Sequence, residues 1–354
     1  MKGKTKKLVV LFLIAMSLTI LAVSCGGKKN SGAVDKLTII YPTSDLSTPI
    51  VAVAREKNFF KEEGLDVNFI TLSSGDIEAL SIGKADLLLL GIIPTLSYAA
   101  QKADVKIVGG TASGGNYFIS KKENAENLRN IKNWVGKRLG TIRLSTSEMV
   151  TRYALEEQGI DIKKDITYVE IDSYPNIVEG VRKGLADVGS VSAEYLQAAL
   201  DLGLEVVFPM TTLSPNYICC RESANKKSVE TKPEAFVKFH KAQIRAYKYF
   251  KEQPNEVVKL LAKVSSQEEE RVYDLLYNLD LNGNRAYTPD PDLNRTRKIY
   301  ATLEKWDYIP KNVVKIEDVF DTILYKKALD EIIKENPKDE FYKQLLADYI
   351  KNNT

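Results

Sequence analysis

Residues 55–91, REKNFFKEEGLDVNFITLSSGDIEALSIGKADLLLLG, predict the plan of the whole chain. Apolar residues recur first at helical spacing, then in short β-rich runs, with glycines between them. The pattern predicts, in order, a helix that ends at Gly64, a strand at 67–70, a short helix at 77–82 and a second strand after Asp86. Helices that alternate with strands are typical of an α/β protein.

Two sequence markers within this stretch occur again about a hundred residues later. Residues 64–67 (GLDV) return as 159–162 (GIDI), and residues 83–86 (GKAD) return as 184–187 (GLAD). The opening glycines of the two markers are 19 residues apart in the first copy and 25 in the second. Helices end readily on glycine, which accepts a positive φ, so each marker has a structural reason. Their repetition in the same order predicts two similar α/β lobes.

The N-terminal segment has the features of a secretory signal. Four lysines lie within residues 1–7, an apolar run covers residues 8–23, and Ala22–Cys25 (AVSC) resembles a bacterial lipobox. We expect a signal peptide at 1–24, lipidation at Cys25 and a tether at 25–35. An ordinary signal peptide or an uncleaved anchor helix are the alternatives. Removal of 1–24 would change the formal net charge from +3 to −1, which gives no indication of a nucleic-acid partner.

The residue inventory argues against several kinds of chemistry. With one histidine and, after Cys25, only the adjacent Cys219 and Cys220, we expect no metal site and no cofactor. Neighbouring strand residues point to opposite faces, so these two cysteines are expected to be reduced or buried and not bridged. His240 lies in a polar-faced helical stretch and is expected at the surface. Residues 109–115 (GGTASGG) are expected to form a mobile loop, and they lack the lysine of a phosphate-binding loop.

The strongest candidate for ligand contact is the predicted helix start at residues 145–148 (STSE). Ser145 and Glu148 have the spacing of a capping box, which by itself explains them. Free N–H groups at such a helix start also attract anions, and ligands of open α/β sheets bind beyond the carboxyl ends of the strands. The candidate ligand-binding residues that follow from this rule are Tyr41, Thr43, Ser44, Ser74, Gly75, Gly91, Ile92, Ser145, Thr146, Ser147, Ser173, Tyr174, Ser192 and Glu194.

Some of these candidates have a second interpretation. Tyr41, Tyr174 and Tyr195 could face a ring or an alkyl chain of a ligand, or could belong to the core. Glu194 could pair with a ligand cation or could stabilise the start of its own helix.

Four stretches carry a resemblance to a known family. They are residues 54–69 (AREKNFFKEEGLDVNF), 74–91 (SGDIEALSIGKADLLLLG), 103–110 (ADVKIVGG) and 136–161 (GKRLGTIRLSTSEMVTRYALEEQGID). The chain resembles, from about residue 36 to 207, the solute-binding proteins of ABC importers for nitrate, sulfonates, taurine and thiamine-pyrimidine compounds. The resemblance implies a type II periplasmic-binding-protein fold, with two lobes joined by crossover strands near 115–119 and 209–220 and a ligand cleft between them.

The resemblance also implies an organisation and a function. We expect lobe I at 36–117 and 216–354, lobe II at 118–215, a mostly parallel sheet flanked by helices in each lobe, and C-terminal helices that cap lobe I. The implied function is capture of a small sulfonate-, pyrimidine- or similar ring- or anion-type solute by a monomeric lipoprotein outside the cytoplasmic membrane. Its partners would be an ABC permease and its ATPase. The alternatives are a sensor lipoprotein without transport and an enzyme similar to thiamine-pyrimidine synthases.

Overall fold

Two β-sheets form the frame of the protein in a computed structural model, which describes residues 34–354 except residues 43 and 73. Cys25 and the predicted signal peptide lie outside the described residues. The strands are β1 (Asp35–Ile40), β2 (Leu65–Ile70), β3 (Leu87–Gly91), β4 (Val105–Ser113), β5 (Asn116–Lys121), β6 (Lys137–Thr141), β7 (Ile166–Glu170), β8 (Val188–Ser192), β9 (Leu204–Pro209), β10 (Ile218–Asn225) and β11 (Ala286–Tyr287).

The two sheets follow the same plan. The first has the order β2-β1-β3-β10-β4-β11 and the second has the order β7-β6-β8-β5-β9. In each, the first three strands pair in parallel, and the fourth, which comes from the other half of the chain, pairs antiparallel to both of its neighbours. The sheets are therefore mixed, with a parallel part that follows the predicted βαβ units. The chain passes between the sheets after β4 and again after β9, as the predicted crossovers require.

The repeated markers take equivalent positions in the two sheets. The Asp86 carboxylate accepts the Thr38 N–H of β1 at 2.8 Å, and the Asp187 carboxylate accepts the Arg138 N–H of β6 at 2.9 Å. The N–H of each aspartate donates back to the carbonyl of the same strand residue, at 2.8 Å in both halves. The predicted repeat is confirmed down to single hydrogen bonds.

Helices surround both sheets and dominate the last third of the chain. They are α1 (Pro49–Glu56), α2 (Phe59–Glu62), α3 (Asp76–Ser81), α4 (Ile92–Ala100), α5 (Lys122–Leu128), α6 (Thr146–Glu157), α7 (Tyr174–Lys183), α8 (Leu196–Asp201), α9 (Lys226–Thr231), α10 (Pro233–Glu252), α11 (Pro254–Ser265), α12 (Glu269–Leu276), α13 (Leu293–Lys305), α14 (Ile316–Val319), α15 (Ile323–Glu335) and α16 (Glu340–Asn353). Among the described residues, no helix is both long and apolar enough to cross a membrane.

The C-terminal helices contact both halves of the molecule. Helix α10 packs against α1 and α15 beside the first sheet. Helix α13 reaches α6 of the second half, where Lys298 pairs with Glu157 at 2.8 Å and Lys305 pairs with Glu156 at 2.6 Å. Residues Asp35–Thr354 cluster as one compact unit, so the lobe boundaries at 117/118 and 215/216 stay a prediction.

His240 is buried, and the expectation of a surface histidine was wrong. Its side chain has no exposed surface, and its ring lies edge-on to Tyr325 with 5.8 Å between ring centroids. The charged neighbours that suggested a solvated helix face instead pair with other helices. Lys241 pairs with Glu335 at 2.7 Å, and Arg245 pairs with Glu63 at 2.9 Å.

Residues 109–115 do not form the predicted mobile loop, because β4 extends through Ser113. The glycines are required by close packing. A Cβ atom on Gly109 would lie 1.9 Å from Glu222 Oε2, and a Cβ atom on Gly110 would lie 2.1 Å from the Asp290 carbonyl oxygen. The glycine-rich composition therefore reflects the close packing around this strand.

Candidate functional site

The start of helix α6 lies against the ends of two central strands of the first sheet, β3 and β10. Thr146 Oγ1 donates a hydrogen bond to the Cys219 carbonyl oxygen of β10 at 3.1 Å. A Cβ atom on Gly91, at the end of β3, would lie 3.6 Å from the same Thr146 oxygen. The structure thus brings two of the predicted site residues together, at the place where the carboxyl ends of strands in both sheets converge.

Ser145 caps helix α6 as predicted, but the capping box is incomplete. Ser145 Oγ accepts the Glu148 N–H at 3.1 Å and lies 3.0 Å from Ser147 Oγ. The Glu148 carboxylate accepts the N–H of Leu144, one residue before the cap, and also pairs with Arg152 at 2.6 Å. Glu148 is therefore held inside the second half of the chain and does not face a ligand.

An ion pair between Glu194 and Arg285 forms the charged part of the site. Arg285 Nη1 lies 2.5 Å from Glu194 Oε1, and Arg285 Nη2 donates to Ser192 Oγ at 3.1 Å and to the Gly115 carbonyl at 3.3 Å. The Arg285 side chain is 9% exposed and that of Glu194 is 24% exposed. Burial raises the pKa of Glu194, but the charge and hydrogen bonds of Arg285 outweigh it and lower that pKa to about 2. Glu194 is therefore ionised and already paired within the protein.

The backbone near this ion pair leaves room for the guanidinium group. A Cβ atom on Gly115, which has a φ of +92°, would lie 2.2 Å from Arg285 Nε. The crossover at Gly115 thus fits only glycine, both for conformation and for space.

Tyrosines and an asparagine line the same region. The Tyr174 and Tyr195 rings lie 5.4 Å apart between centroids. Burial raises the pKa of Tyr174, and Cys219 raises it further, whereas a hydrogen bond with Asn116 lowers it. Tyr217 donates to Asn116 Oδ1 at 2.7 Å. Tyr174 therefore belongs to this site, next to the two cysteines and the ion pair.

The two adjacent cysteines are free, but they do not simply point apart as a regular strand predicts. Both residues are of intermediate exposure, and Cys220 Sγ donates a hydrogen bond to Cys219 Sγ at 3.3 Å. The pairing of β10 with β4 shifts register on both sides of Cys220. This irregularity breaks the alternation of side chains that the prediction assumed.

The remaining candidate residues have structural roles or lie apart. Tyr41 is buried and donates to Asp45 at 2.9 Å, so it belongs to the core. Ile92 is fully buried. Ser173 Oγ accepts the Asn176 N–H at 3.4 Å and caps α7. Ser74 and Gly75 are exposed before α3, Ser44 precedes a short 3₁₀ turn, and Thr43 is outside the described residues.

Comparison with known proteins places the chain in a family. The family model described as NMT1/THI5 like matches residues 47–257, which is more than half of the chain. The chain belongs to the NMT1/THI5-like family.

Two relatives of this NMT1/THI5-like chain carry names of different kinds. The Bacillus subtilis protein YtlA, named as a binding protein, is 26% identical over 178 residues, which cover 48% of this chain and 50% of YtlA. A Candida albicans protein named 4-amino-5-hydroxymethyl-2-methylpyrimidine phosphate synthase is 24% identical over 225 residues, which cover 58% of this chain and 64% of the relative. The chain thus spans about half to two thirds of the length of these relatives.

Solved structures confirm the fold of the NMT1/THI5-like chain. The periplasmic nitrate-binding protein NrtA from Synechocystis PCC 6803 aligns with a TM-score of 0.69 at 16% identity, over 85% of this chain and 90% of NrtA. The periplasmic aliphatic sulphonate binding protein SsuA from Escherichia coli aligns with a TM-score of 0.66 at 17% identity, over 81% of this chain and 92% of SsuA. The expected periplasmic-binding-protein fold is therefore confirmed.

Sequence reasoning missed Arg285, Asn116 and Tyr217. Arg285 lies in a polar stretch between α12 and β11, and its neighbours in sequence carry no motif. Only the fold brings it to Glu194, which is 91 residues away in sequence.

Proposed function

We propose that the protein is an extracytoplasmic solute-binding lipoprotein that captures a small organic solute between its two sheets and delivers it to an ABC importer. The observation that supports this most directly is the contact between Thr146 of α6 and Cys219 of β10. It joins the helix that follows β6 of the second sheet to β10 of the first sheet, at the ends of central strands, where open α/β sheets bind ligands.

The chemistry of the site supports a ring-containing solute with a polar or anionic group. Tyr174 and Tyr195 offer aromatic faces at one side of the site. The start of α6 offers a helix N-terminus, which favours a negative group. Arg285 is largely neutralised by Glu194, so its charge is a weaker attraction for a free anion. Sulfonate- and pyrimidine-type solutes both fit this description.

The proposal includes the remaining parts of an import system. The basic and apolar residues of 1–24 and the lipobox-like AVSC support secretion and a lipid anchor at Cys25. The partners would then be an ABC permease and its ATPase, with the binding protein acting as a monomer. Genes for a permease and an ATPase beside this gene would support transport, whereas a sensor-kinase gene would support the sensing alternative.

Catalysis is the second candidate, and the name of the Candida albicans relative is what favours it. The only histidine of the sequence, His240, lies in the core against Tyr325 and not beside Tyr174 or Arg285. A histidine general base is therefore missing from the site. A solute recovered chemically unchanged after incubation with the protein would support capture, and conversion to a second mass would support an enzyme.

The test is identification of the solute followed by calorimetry. Native mass spectrometry of the full chain with Cys25→Ser, purified under mild conditions, should reveal a small bound molecule. Tyr195→Ala should weaken its binding about tenfold through the loss of a ring contact. Tyr273→Ala is the matched control, because Tyr273 of α12 is also exposed and its ring centroid lies 5.9 Å from that of Tyr277, which follows the helix.

One outcome would contradict the proposed function, and another would contradict only the assignment of Tyr195 to the site. One is the absence of any bound molecule together with no rise in melting temperature in the presence of sulfonates or pyrimidines. The other is equal affinity of the wild type and Tyr195→Ala for an identified solute, which would remove this tyrosine pair from the site.

A further inference from the structure

The adjacent cysteines of β10 are held face to face by a local irregularity of the sheet. Ile218 pairs with Ser113 of β4 and Cys220 pairs with Ala112, so Cys219 is an extra residue on its strand. Such a bulge re-aims the side chains beside it. The result is a distance of 3.3 Å between the two sulfur atoms, which are joined by a hydrogen bond.

The surroundings make the two thiols chemically different. The hydrogen bond from Cys220 lowers the pKa of Cys219 against the effect of burial, and the positive charge of Arg285 lowers it further. The same hydrogen bond, together with burial, raises the pKa of Cys220. Cys219 is therefore the more acidic thiol of the pair, and Cys220 is the less acidic one.

Both cysteines are only partly buried as residues, and they lie beside Tyr174 and the Glu194–Arg285 pair. A reagent that enters the proposed solute site therefore meets the two sulfur atoms. Buried structural cysteines lack this access and are inert.

We propose that Cys219 and Cys220 form a redox-reactive dithiol, which a low-molecular-weight disulfide oxidises to a bond between these adjacent residues. Cys219 acts as the attacking thiolate and Cys220 as the resolving thiol. The geometry that carries the proposal is the 3.3 Å separation of the sulfur atoms of two partly buried cysteines beside a buried cation.

The reaction balances in two exchange steps. In the first step, the Cys219 thiolate attacks one sulfur of the small disulfide, forms a mixed disulfide and expels one small thiolate. In the second step, Cys220 loses its proton and attacks the Cys219 sulfur, which expels the second small thiolate. The protein loses two electrons and its thiol protons, and the small disulfide is reduced to two thiols.

The experiment treats the full chain with oxidised glutathione and maps the products by mass spectrometry. Digestion with trypsin places Cys219 and Cys220 in the peptide that ends at Arg221, apart from Cys25. In the wild type, this peptide should lose the mass of two hydrogen atoms, and a thiol reductant should restore it. Glutathione should not remain attached, because Cys220 displaces it.

Single variants test whether both thiols are needed for the bond within the protein. Cys220→Ser should accumulate a stable glutathione adduct at Cys219, because the resolving thiol is missing. Cys219→Ser should likewise keep any glutathione that attaches to Cys220, because no second thiol remains to displace it. The wild-type result does not depend on the folding of either variant.

Three results would overturn the proposal. They are two stable glutathione adducts on the wild-type peptide, no reaction of that peptide while the same peptide of the urea-unfolded chain reacts, and loss of two hydrogen masses from the peptide in either single variant. The redox chemistry is independent of solute transport, so a failed solute screen would leave it standing.

Discussion

Arg285 Nη1 lies 2.5 Å from Glu194 Oε1, and this ion pair joins the chain that follows α12 to the end of the second sheet. Arg285 also donates to the Gly115 carbonyl at the first crossover between the sheets. One guanidinium group thus contacts the second half of the chain and the crossover that leads into it. Both carboxylate oxygens of Glu194 face Arg285, which is a strong arrangement for a charged hydrogen bond.

The first prediction is that Glu194→Ala destabilises the protein by about 3 kcal/mol, because it leaves the Arg285 charge buried and unpaired. The double variant Glu194→Leu with Arg285→Met should be less destabilised than Glu194→Ala, since it removes both charges. Unfolding in urea, followed by circular dichroism, measures both differences.

The control for this pair is Glu205→Ala. Glu205 pairs with Arg129 at 3.4 Å, with both side chains more than a third exposed, so its loss should cost less than about 1 kcal/mol. Equal effects of Glu194→Ala and Glu205→Ala would show that the Glu194–Arg285 pair does not hold the two parts together.

The second prediction concerns Gly109→Ala, which should destabilise the protein by about 2 kcal/mol or more. The added methyl group would lie 1.9 Å from Glu222 Oε2 and 3.0 Å from the His240 ring, in a region with no exposed surface. Gly91→Ala is the matched control, because its nearest neighbour would be at an ordinary 3.6 Å. A melting temperature of Gly109→Ala equal to that of Gly91→Ala would contradict this packing.

The third prediction is a loss of stability in mild acid that depends on His240. Burial lowers the pKa of His240 from 6.5 to about 4, and the nearby Gln243 side chain opposes this shift only in part. As the pH falls through 6.5, the unfolded chain binds a proton that the folded protein does not take up until about pH 4, so unfolding becomes easier. Between pH 7.5 and pH 5 the free energy of unfolding should fall by about 2 kcal/mol from this residue.

The variant His240→Leu removes this contribution and leaves that of Glu222, whose Oε2 lies 3.8 Å from His240 Nδ1 and whose pKa is raised well above 4.5 by burial. Glu222 contributes with the opposite sign, because its folded state takes up a proton that the unfolded chain does not, so the free energy of unfolding should fall less, or rise, between pH 7.5 and pH 5 in this variant. Glu194 does not change the slope in that window. Its pKa is 4.5 in the unfolded chain and about 2 in the folded protein, so the stability that it contributes is lost only at lower pH. An unchanged slope in His240→Leu would contradict the prediction.

Local signals explain how much of the fold the sequence predicts. The markers that end in Asp86 and Asp187 combine a glycine turn with a buried strand, and both signals lie within a few residues of each other. The equivalent hydrogen bonds to Thr38 and Arg138 follow from them. Ser145 is a similar case, because an N-cap is decided within one helical turn.

Contacts between distant segments explain what the sequence did not predict. His240 has charged neighbours in sequence, and only the packing of α10 against other helices shows that those charges are paired and the histidine is enclosed. The face-to-face cysteines depend on the register between β10 and β4, which side-chain alternation cannot reveal. Arg285 contacts Gly115 across 170 residues of sequence, so no local pattern could indicate it.

The last prediction concerns the start of α6. Ser145→Ala with Ser147→Ala removes the hydroxyl that accepts the Glu148 N–H and the second hydroxyl 3.0 Å from it. The loss of the cap should cost about 1 kcal/mol of stability. If this turn also holds the solute, the affinity measured by calorimetry should fall about tenfold or more, because hydrogen-bonding groups at the helix start are lost.

Asn130→Ala removes a cap of the same kind, on the Lys132 N–H at 3.1 Å, and should leave the affinity unchanged. A double serine variant that unfolds earlier but binds as tightly as the wild type would reduce Ser145 and Ser147 to a capping role alone.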